Sequence, residues 1–513
     1  MIATDISASG CLTSWVSGVA ATGTFVKASL MTSLTTGESG IPSGWTIMDD
    51  TEYLTISALE DGEITITIPS NVNSTYATSL SYSKDKLNWA ETTVDNTEQI
   101  ITISVSNGEN VYLKGIANTW GCVGRPWEQY SLNIASSADI NASGNIMSLL
   151  YGDKFKDKTS FPAESEHSFW QLFEGNNHLI NAEHLILPAT TLVDECYSRM
   201  FSGCTLLING PALPATTLGI QCYRQMFYEC NALTTVSILP ANMLTDWCYE
   251  SMFYNCISLE HAPELPAMTM TTQCYANMFQ GCTSLTTAPS LPATTLASYC
   301  YSGMFSGCAS LVTAPELPAT TLADSCYSSM FKGCTSLTTS TELPATTLTE
   351  NCYYEMFTNC TSLTTAPTLS AAMLAGNCYR SMFSGCTSLT TAPALPATTL
   401  EPACYYEMFA GCKSLIMGSV LPATTLLMNC YGNMFQGCSK LNSITMLATN
   451  ISAKDCLSNW VSGVSSTGTF VKAPSMTSLP TGTSGIPSGW TVLDDTEYLT
   501  ISALGSGTIT ITY

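Results

Sequence analysis

Leu291-Pro-Ala-Thr-Thr-Leu296-Ala-Ser-Tyr299-Cys300-Tyr301-Ser-Gly303-Met304-Phe305-Ser-Gly307-Cys308-Ala-Ser-Leu311 is one copy of a unit that recurs every 26 residues, the next copy beginning at Leu317. Two cysteine series mark the period. One runs from Cys196 through Cys222 and Cys248 to Cys456; the other trails it by eight residues, from Cys204 to Cys438. No copy between Cys196 and Cys456 gains or loses a residue. A fixed period in this range belongs to a solenoid, in which each unit buries its apolar face only by stacking on its neighbours.

Within residues 285–308, Leu285, Leu291 and Leu296 recur in almost every copy, separated by Thr-rich pieces that carry Pro289 and Pro292. The Thr content and the prolines exclude a long helix and predict short strands near 285–288 and 294–296 with corners between them. Stacked in register, such strands form a parallel sheet with rows about 4.8 Å apart. Residues 300–305 read as one or two helical turns, because Cys300 with Met304 and Tyr301 with Met304 and Phe305 fall at i, i+3 and i+4. Gly307 stands where such a helix would stop. Each coil then offers three Leu, a Met, a Phe, a Tyr and two Cys to a continuous core.

The element Met382-Phe-Ser-Gly-Cys386-Thr-Ser-Leu389-Thr-Thr391, repeated with small changes, resembles the BspA-like leucine-rich repeat surface proteins of gut Bacteroidetes and their phages, over about 170–475. The resemblance implies an exposed adhesive solenoid and names no ligand. The fold class expected is a mixed α/β repeat. It comprises a leucine-rich-repeat solenoid of about ten 26-residue coils, built of short parallel strands plus short helices, with a small antiparallel β-sandwich and duplicated terminal cap modules.

Composition narrows the function. The 513-residue chain is 45% hydrophobic and only 11% charged, with a net charge of −23. That balance argues against nucleic acid and against anionic membrane surfaces, which call for basic patches. No apolar run approaches the roughly 20 residues of a membrane span. Of the 23 cysteines, all but Cys11 and Cys122 lie on the repeat grid. Reduced core thiols, stacked as small hydrophobes, are the expected state over a ladder of disulfides. Zinc is not expected, since the spacing within a coil is eight residues and no Cys-x-x-Cys occurs.

The two ends are copies of one module. Cys11, Trp15, the segment Gly23-Thr-Phe-Val-Lys27 and Gly40-Ile-Pro-Ser-Gly-Trp45 match Cys456, Trp460, Gly468-Thr-Phe-Val-Lys472 and Gly485-Ile-Pro-Ser-Gly-Trp490 without a gap. In the second copy Trp460-Val461 replaces the usual Met-Phe and Val464 the trailing Cys, as a degenerate final coil should. The domains expected are a cap-like module at 1–49, a β-sandwich at 50–118, a connector and N-terminal solenoid cap at 119–186, the solenoid at 187–445, a C-terminal cap at 446–496 and a β-hairpin at 497–513. That hairpin is expected to pair by strand addition. Period-two alternation at Glu63-Ile-Thr-Ile-Thr-Ile68 and Ile100-Ile-Thr-Ile-Ser-Val105 supports the sandwich. Ser83–Trp89 is read as a hairpin turn and not as a sugar site. No secretory leader is visible at Met1, which raises the weight of a virion origin.

No catalytic constellation emerges, and an enzyme is not expected; neither is a cofactor or a metal. The four histidines, His167, His178, His184 and His261, form no triad with a chosen Ser and Asp. Asp49-Asp50-x-Glu52, repeated as Asp494-Asp495-x-Glu497, reads as a solvated acidic linker ahead of a calcium site. Variation between coils concentrates just before the first Cys and between Tyr and Met. It places aromatics at Trp247, Tyr299, Tyr354 and Tyr406, with Tyr228 and Tyr254 after the Phe. These six are the ligand-contact candidates, against the plainer reading that they cover a neighbouring coil.

Two functions compete. One is an adhesin or receptor-binding protein, on a cell surface or a phage virion, whose partner is a host or bacterial surface protein or glycan. The other is a structural spacer or decoration protein of a fibre or virion, with homo-oligomerisation through the terminal modules.

Overall fold

A computed structural model describes residues 24–27, 37, 41–42, 46–49, 52–70, 75–121 and 131–495. The 497–513 hairpin, Cys11 and Cys122 lie outside the described residues. The chain divides into two compact units, Met1–Leu337 and Thr338–Tyr513.

In the first unit, β1 (Thr24–Lys27) pairs in parallel with β2 (Thr46–Asp49). Then follow β3 (Leu54–Ala58), β4 (Gly62–Ile68), β5 (Ala77–Ser83), β6 (Ala90–Thr93), β7 (Gln99–Val105), β8 (Asn110–Ala117), β9 (Asn133–Ser136), β10 (Ile140–Asn145), the short helix α1 (Ser148–Tyr151) and β11 (Leu179–Ile186). They form a six-stranded sheet of order β11-β10-β3-β8-β5-β6 and a three-stranded sheet β7-β4-β9. Period-two alternation sets the buried faces, with Ile64, Ile66 and Ile68 of β4 and Val111 and Leu113 of β8 fully inside. The sheets reach past residue 118, since β9 pairs with β4 and β10 with β3. A boundary after 118 would strip β9 from one sheet and β10 and β11 from the other.

β10 also joins the sandwich to the repeats. It is antiparallel to β3 on one side and parallel to β11 on the other. From β11 onward the backbone rows are parallel bridges between equivalent positions, such as Asn209 with Thr235, His261 with Thr287 and Thr295 with Thr321. The expected strands at 285–288 and 294–296 shrink to these single bridges. Proline lacks an N–H and breaks the rows on either side of Pro289 and Pro292.

The expected helical turns at 300–305 are not there. The N–H groups of Ser302 and Met304 donate to Tyr299 and Tyr301 at 3.1 and 3.2 Å, three residues back. Those of Tyr301, Gly303 and Phe305 instead leave the coil and donate to Cys326, Ser328 and Met330 of the next, at 3.0, 2.8 and 2.9 Å. Tyr299, Gly303 and Gly307 stand at φ 57°, 62° and 76°, so the backbone turns left-handed every fourth residue. The result is a ribbon of overlapping turns, half of whose donors stitch one coil to its neighbour. Non-glycine residues rarely hold positive φ; here the stitching bonds fix it. Among the described residues, α1 and the 3-10 turn Gly152–Lys154 are the helical elements.

The ribbon's inner side builds the core. Tyr223, Tyr249, Tyr275 and Tyr301 stack with ring centroids 5.7–6.0 Å apart, and Phe227, Phe253, Phe279 and Phe305 at 5.6–5.7 Å. The described cysteines, Cys196 to Cys456, are buried thiols. The trailing thiols donate to the Phe carbonyl one coil back, Cys230 to Phe201 and Cys308 to Phe279, both at 3.1 Å. In the first coil Asn176 takes that position, and its Nδ2 donates to Ile134 of β9 at 3.0 Å. The longer polar side chain spans from the repeat grid to the sandwich.

The second unit repeats the ribbon, with Asn351, Glu355 and Asn359 at φ 55°, 54° and 61°. Phe357, Phe383, Phe409 and Phe435 stack at 5.6–5.7 Å. A true parallel sheet appears at its end: β12 (Met417–Leu421), β13 (Ser443–Met446), β14 (Thr469–Lys472) and β15 (Thr491–Asp494). Ser419 occupies the position of Pro393 in the preceding coil, so the row lengthens where proline is absent. Trp460 closes the Phe column, 6.2 Å from Phe435, and its Nε1 donates to the Gly485 carbonyl at 2.9 Å.

Within each unit, the two copies of the terminal module pair alike. Thr24 faces Thr46 as Thr469 faces Thr491, and Gly37 donates to Ile41 at 2.8 Å as Gly482 does to Ile486.

Candidate functional site

The ribbon's outer side carries the variable positions. Because consecutive coils superimpose at 26-residue steps, equivalent outer positions line up in rows, and aromatics at the same position of neighbouring coils meet.

In the first unit Tyr228 and Tyr254 stack face to face, with centroids 4.7 Å apart at 8°. Both are half-buried. Burial is the first cause that raises the Tyr228 phenol above its ordinary value, with Glu229 next. Trp247 sits at a left-handed position, φ 55°, and its indole N–H donates to Gln273 of the next coil. Tyr299 lies two coils along the same row and is 43% exposed. Charge pairs bridge neighbouring coils on this side, Arg199 with Glu174 and Arg224 with Glu250.

In the second unit the structure brings Tyr354 and Tyr406 together around a residue that sequence reasoning missed. The Arg380 guanidinium lies 4.9 Å from the Tyr406 ring centre and 5.7 Å from that of Tyr354. The three are equivalent positions in successive coils, so the 26-residue spacing was the signal that could have found Arg380. The Tyr406 hydroxyl accepts from Asn433 Nδ2 at 2.8 Å. The next position of the row is Gly432, where a Cβ would meet the Tyr406 ring at 3.0 Å. The glycine therefore leaves room for the ring. A cation between two aromatic faces is an attractive arrangement of about 0.5–2 kcal/mol per pair.

The remaining polar clusters are spent locally. Asp85 accepts from the Leu87 and Asn88 N–H groups at 2.8 and 2.7 Å, and these bonds hold its carboxyl well below the usual carboxylate range. The 83–89 segment is thus a turn that joins β5 to β6. Of the two acidic linkers, Glu52 pairs with Lys86, and Asp494 pairs with Lys472 at 2.6 Å; Asp50 and Glu497 lie outside the described residues. Glu60, Asp139 and His178 place ligand atoms within 4.8 Å of one another. However, His178 Nδ1 already meets Asp139 at 2.9 Å, and Glu60 accepts the Asp139 N–H at 3.1 Å. His167 faces Glu195 at 3.3 Å.

The family model described as BspA type leucine rich repeat region matches residues 194–328 and 272–416, with 6 copies. Residues 194–416 are a BspA-type leucine-rich repeat region. Such a region is a protein-binding surface by type, and the matched residues include all six candidate aromatics and Arg380. No curated protein and no solved structure matches the chain. No helix among the described residues is long and apolar enough to cross a membrane.

Proposed function

We propose that this chain is a non-enzymatic adhesin or receptor-binding protein, displayed on a cell surface or a phage virion, that grips a host or bacterial surface protein or glycan with the outer side of its BspA-type repeats. The observation that carries this reading is the Tyr354–Arg380–Tyr406 row. Arg and Tyr are the residues that dominate binding hot spots, and a stitched ribbon presents them with little ordering cost left to meet on association. Tyr228 and Tyr254 on one row, and Trp247 and Tyr299 on another, are the further contact aromatics of this reading in the first unit.

The test is adhesion of the purified chain to intact gut bacteria and to mucosal glycoprotein. Changing Tyr354 and Tyr406 to Ala, or Trp247 and Tyr299 to Ala, is expected to weaken adhesion about tenfold or more, while the chain still melts cooperatively with only a modest drop in melting temperature. Arg380→Lys should fall between wild type and Arg380→Ala, because an ammonium cannot stack as a guanidinium does. Wild-type adhesion by every variant would overturn the reading.

A second reading, a spacer or decoration protein without a ligand of its own, is favoured by one observation. The two terminal modules pair in the same register. Chains joined through these modules would sediment as concentration-dependent oligomers, and loss of that behaviour on removing residues 1–49 would support it.

A further inference from the structure

The first unit holds a cavity of about 560 Å³ between the outer faces of β5 and β8 and the turn that follows α1. Its size is that of a small-molecule site. Ser79, Ser81, Ile116 and Tyr151 line it together with three lysines, Lys114, Lys154 and Lys158.

The charge here runs against the rest of the chain. Three ammonium groups face two carboxylates, Glu91 and Asp153, in a protein of net charge −23. Asp153 is already engaged: both its oxygens accept from Lys114 Nζ, at 2.9 and 3.0 Å, and one also accepts from the Tyr53 hydroxyl at 2.8 Å. Lys114 is further fixed over the Trp89 ring, 4.0 Å from its centre. Lys158 lies over Tyr151 at 5.2 Å, while Lys154 and Lys158 are exposed at the rim. Ile116 is 58% exposed although it sits in the middle of a sheet. The cavity therefore combines placed cations, hydroxyls and an uncovered apolar patch.

We propose that this cavity binds an acidic saccharide, a pyranose unit that carries a carboxylate. The carboxylate faces Lys154 and Lys158, for which an anion is the natural charge-assisted acceptor. The C–H face of the ring lies on Ile116 and the edge of Tyr151, and the ring hydroxyls reach Ser79, Ser81 and Glu91. A plain anion would leave Ile116 in water, and a neutral sugar would leave the lysines unpaired. This site belongs to the sandwich and uses none of the repeat-face residues, so the two proposals stand or fall separately.

The probe is D-glucuronate, titrated into the full chain and followed by saturation-transfer NMR of the sugar. Saturable binding is expected, weakened by salt as an exposed ion contact should be. Glucose and acetate should bind at least about tenfold more weakly, and the Lys154→Ala/Lys158→Ala double variant should lose about tenfold in affinity. Ile116→Trp, which fills the cavity from an exposed position, should abolish binding while the melting temperature holds. The proposal is overturned if glucuronate does not saturate, if acetate or a glutamate peptide binds as well as the sugar acid, or if either variant with wild-type melting keeps wild-type affinity.

Discussion

The thiol of Cys308 donates to the carbonyl oxygen of Phe279, one coil back, at 3.1 Å. The same carbonyl accepts the backbone N–H of Cys282 at 3.1 Å, so both its lone pairs are used. The repeating cysteine is therefore a small apolar filler with a donor at its tip. Cys308→Ala removes that donor and leaves a gap at a fully buried position. A loss of about 1–2 kcal/mol is expected, read as a shift of the urea midpoint at constant slope. An unshifted midpoint would show that neither the bond nor the filled space contributes.

The buried thiols also set a pH limit. Burial pushes Cys282, Cys326 and Cys438 up to about 12, where an unfolded thiol ionises near 8.5. Below pH 8 both states hold their protons, and the stability is fully present. As pH climbs above about 8.5 the unfolded chain releases protons that the folded chain keeps, so stability falls steadily towards pH 12. The buried phenols, raised for the same reason, steepen the fall above about pH 10. Urea midpoints from pH 7 to 10.5 check this; a flat profile would contradict it. Thiol reagents at pH 8 should leave Cys282 and Cys308 unmodified until the chain unfolds.

The Tyr column carries a cost. The hydroxyls of Tyr223, Tyr249 and Tyr275 are buried without a hydrogen-bond partner. Tyr249→Phe keeps the stack on Tyr223 and Tyr275 and removes a stranded polar group. It is expected to raise stability by about 1 kcal/mol, measured by thermal melting. Destabilisation would mean that the hydroxyl is satisfied in solution.

Trp460 ends the second unit's Phe column. Trp460→Ala should cost about 3–5 kcal/mol and expose the last coil. In a stack held by nearest neighbours the damage spreads from that end, so amide exchange should quicken at 430–446 before it does at 378–389. Uniform loss of protection would instead indicate one cooperative block.

The 26-residue stacking and the Leu, Met, Phe and thiol positions were legible because those residues recur without insertion. The helix expected at 300–305 fails for a specific reason. Cys300, Met304 and Cys308 repeat every four residues, which a helix of 3.6 residues per turn satisfies over one step only. The left-handed positions left their own trace, since Asn or Gly fills many of them, as at Asn277, Gly303 and Asn351. Strands β9 and β10 leave little local signal because their partners lie far away in sequence, Ile134 opposite Ile66 and Ala142 opposite Ile56. Of the candidate contact surface, single aromatics could be picked out by their variability. The cation between Tyr354 and Tyr406 needed the coils laid on one another.

The donors that leave each ribbon end on the very next layer, as Tyr301 does on Cys326 and Phe305 on Met330. Along the ribbon, one seam thus repeats the backbone bonds of the one beside it. A crossover between gene copies that deletes or inserts one block of this length would rejoin matching surfaces and leave no donor stranded. Such a molecule can change its reach and its pattern of displayed side chains in whole steps during a lineage's history, without having to solve its folding again.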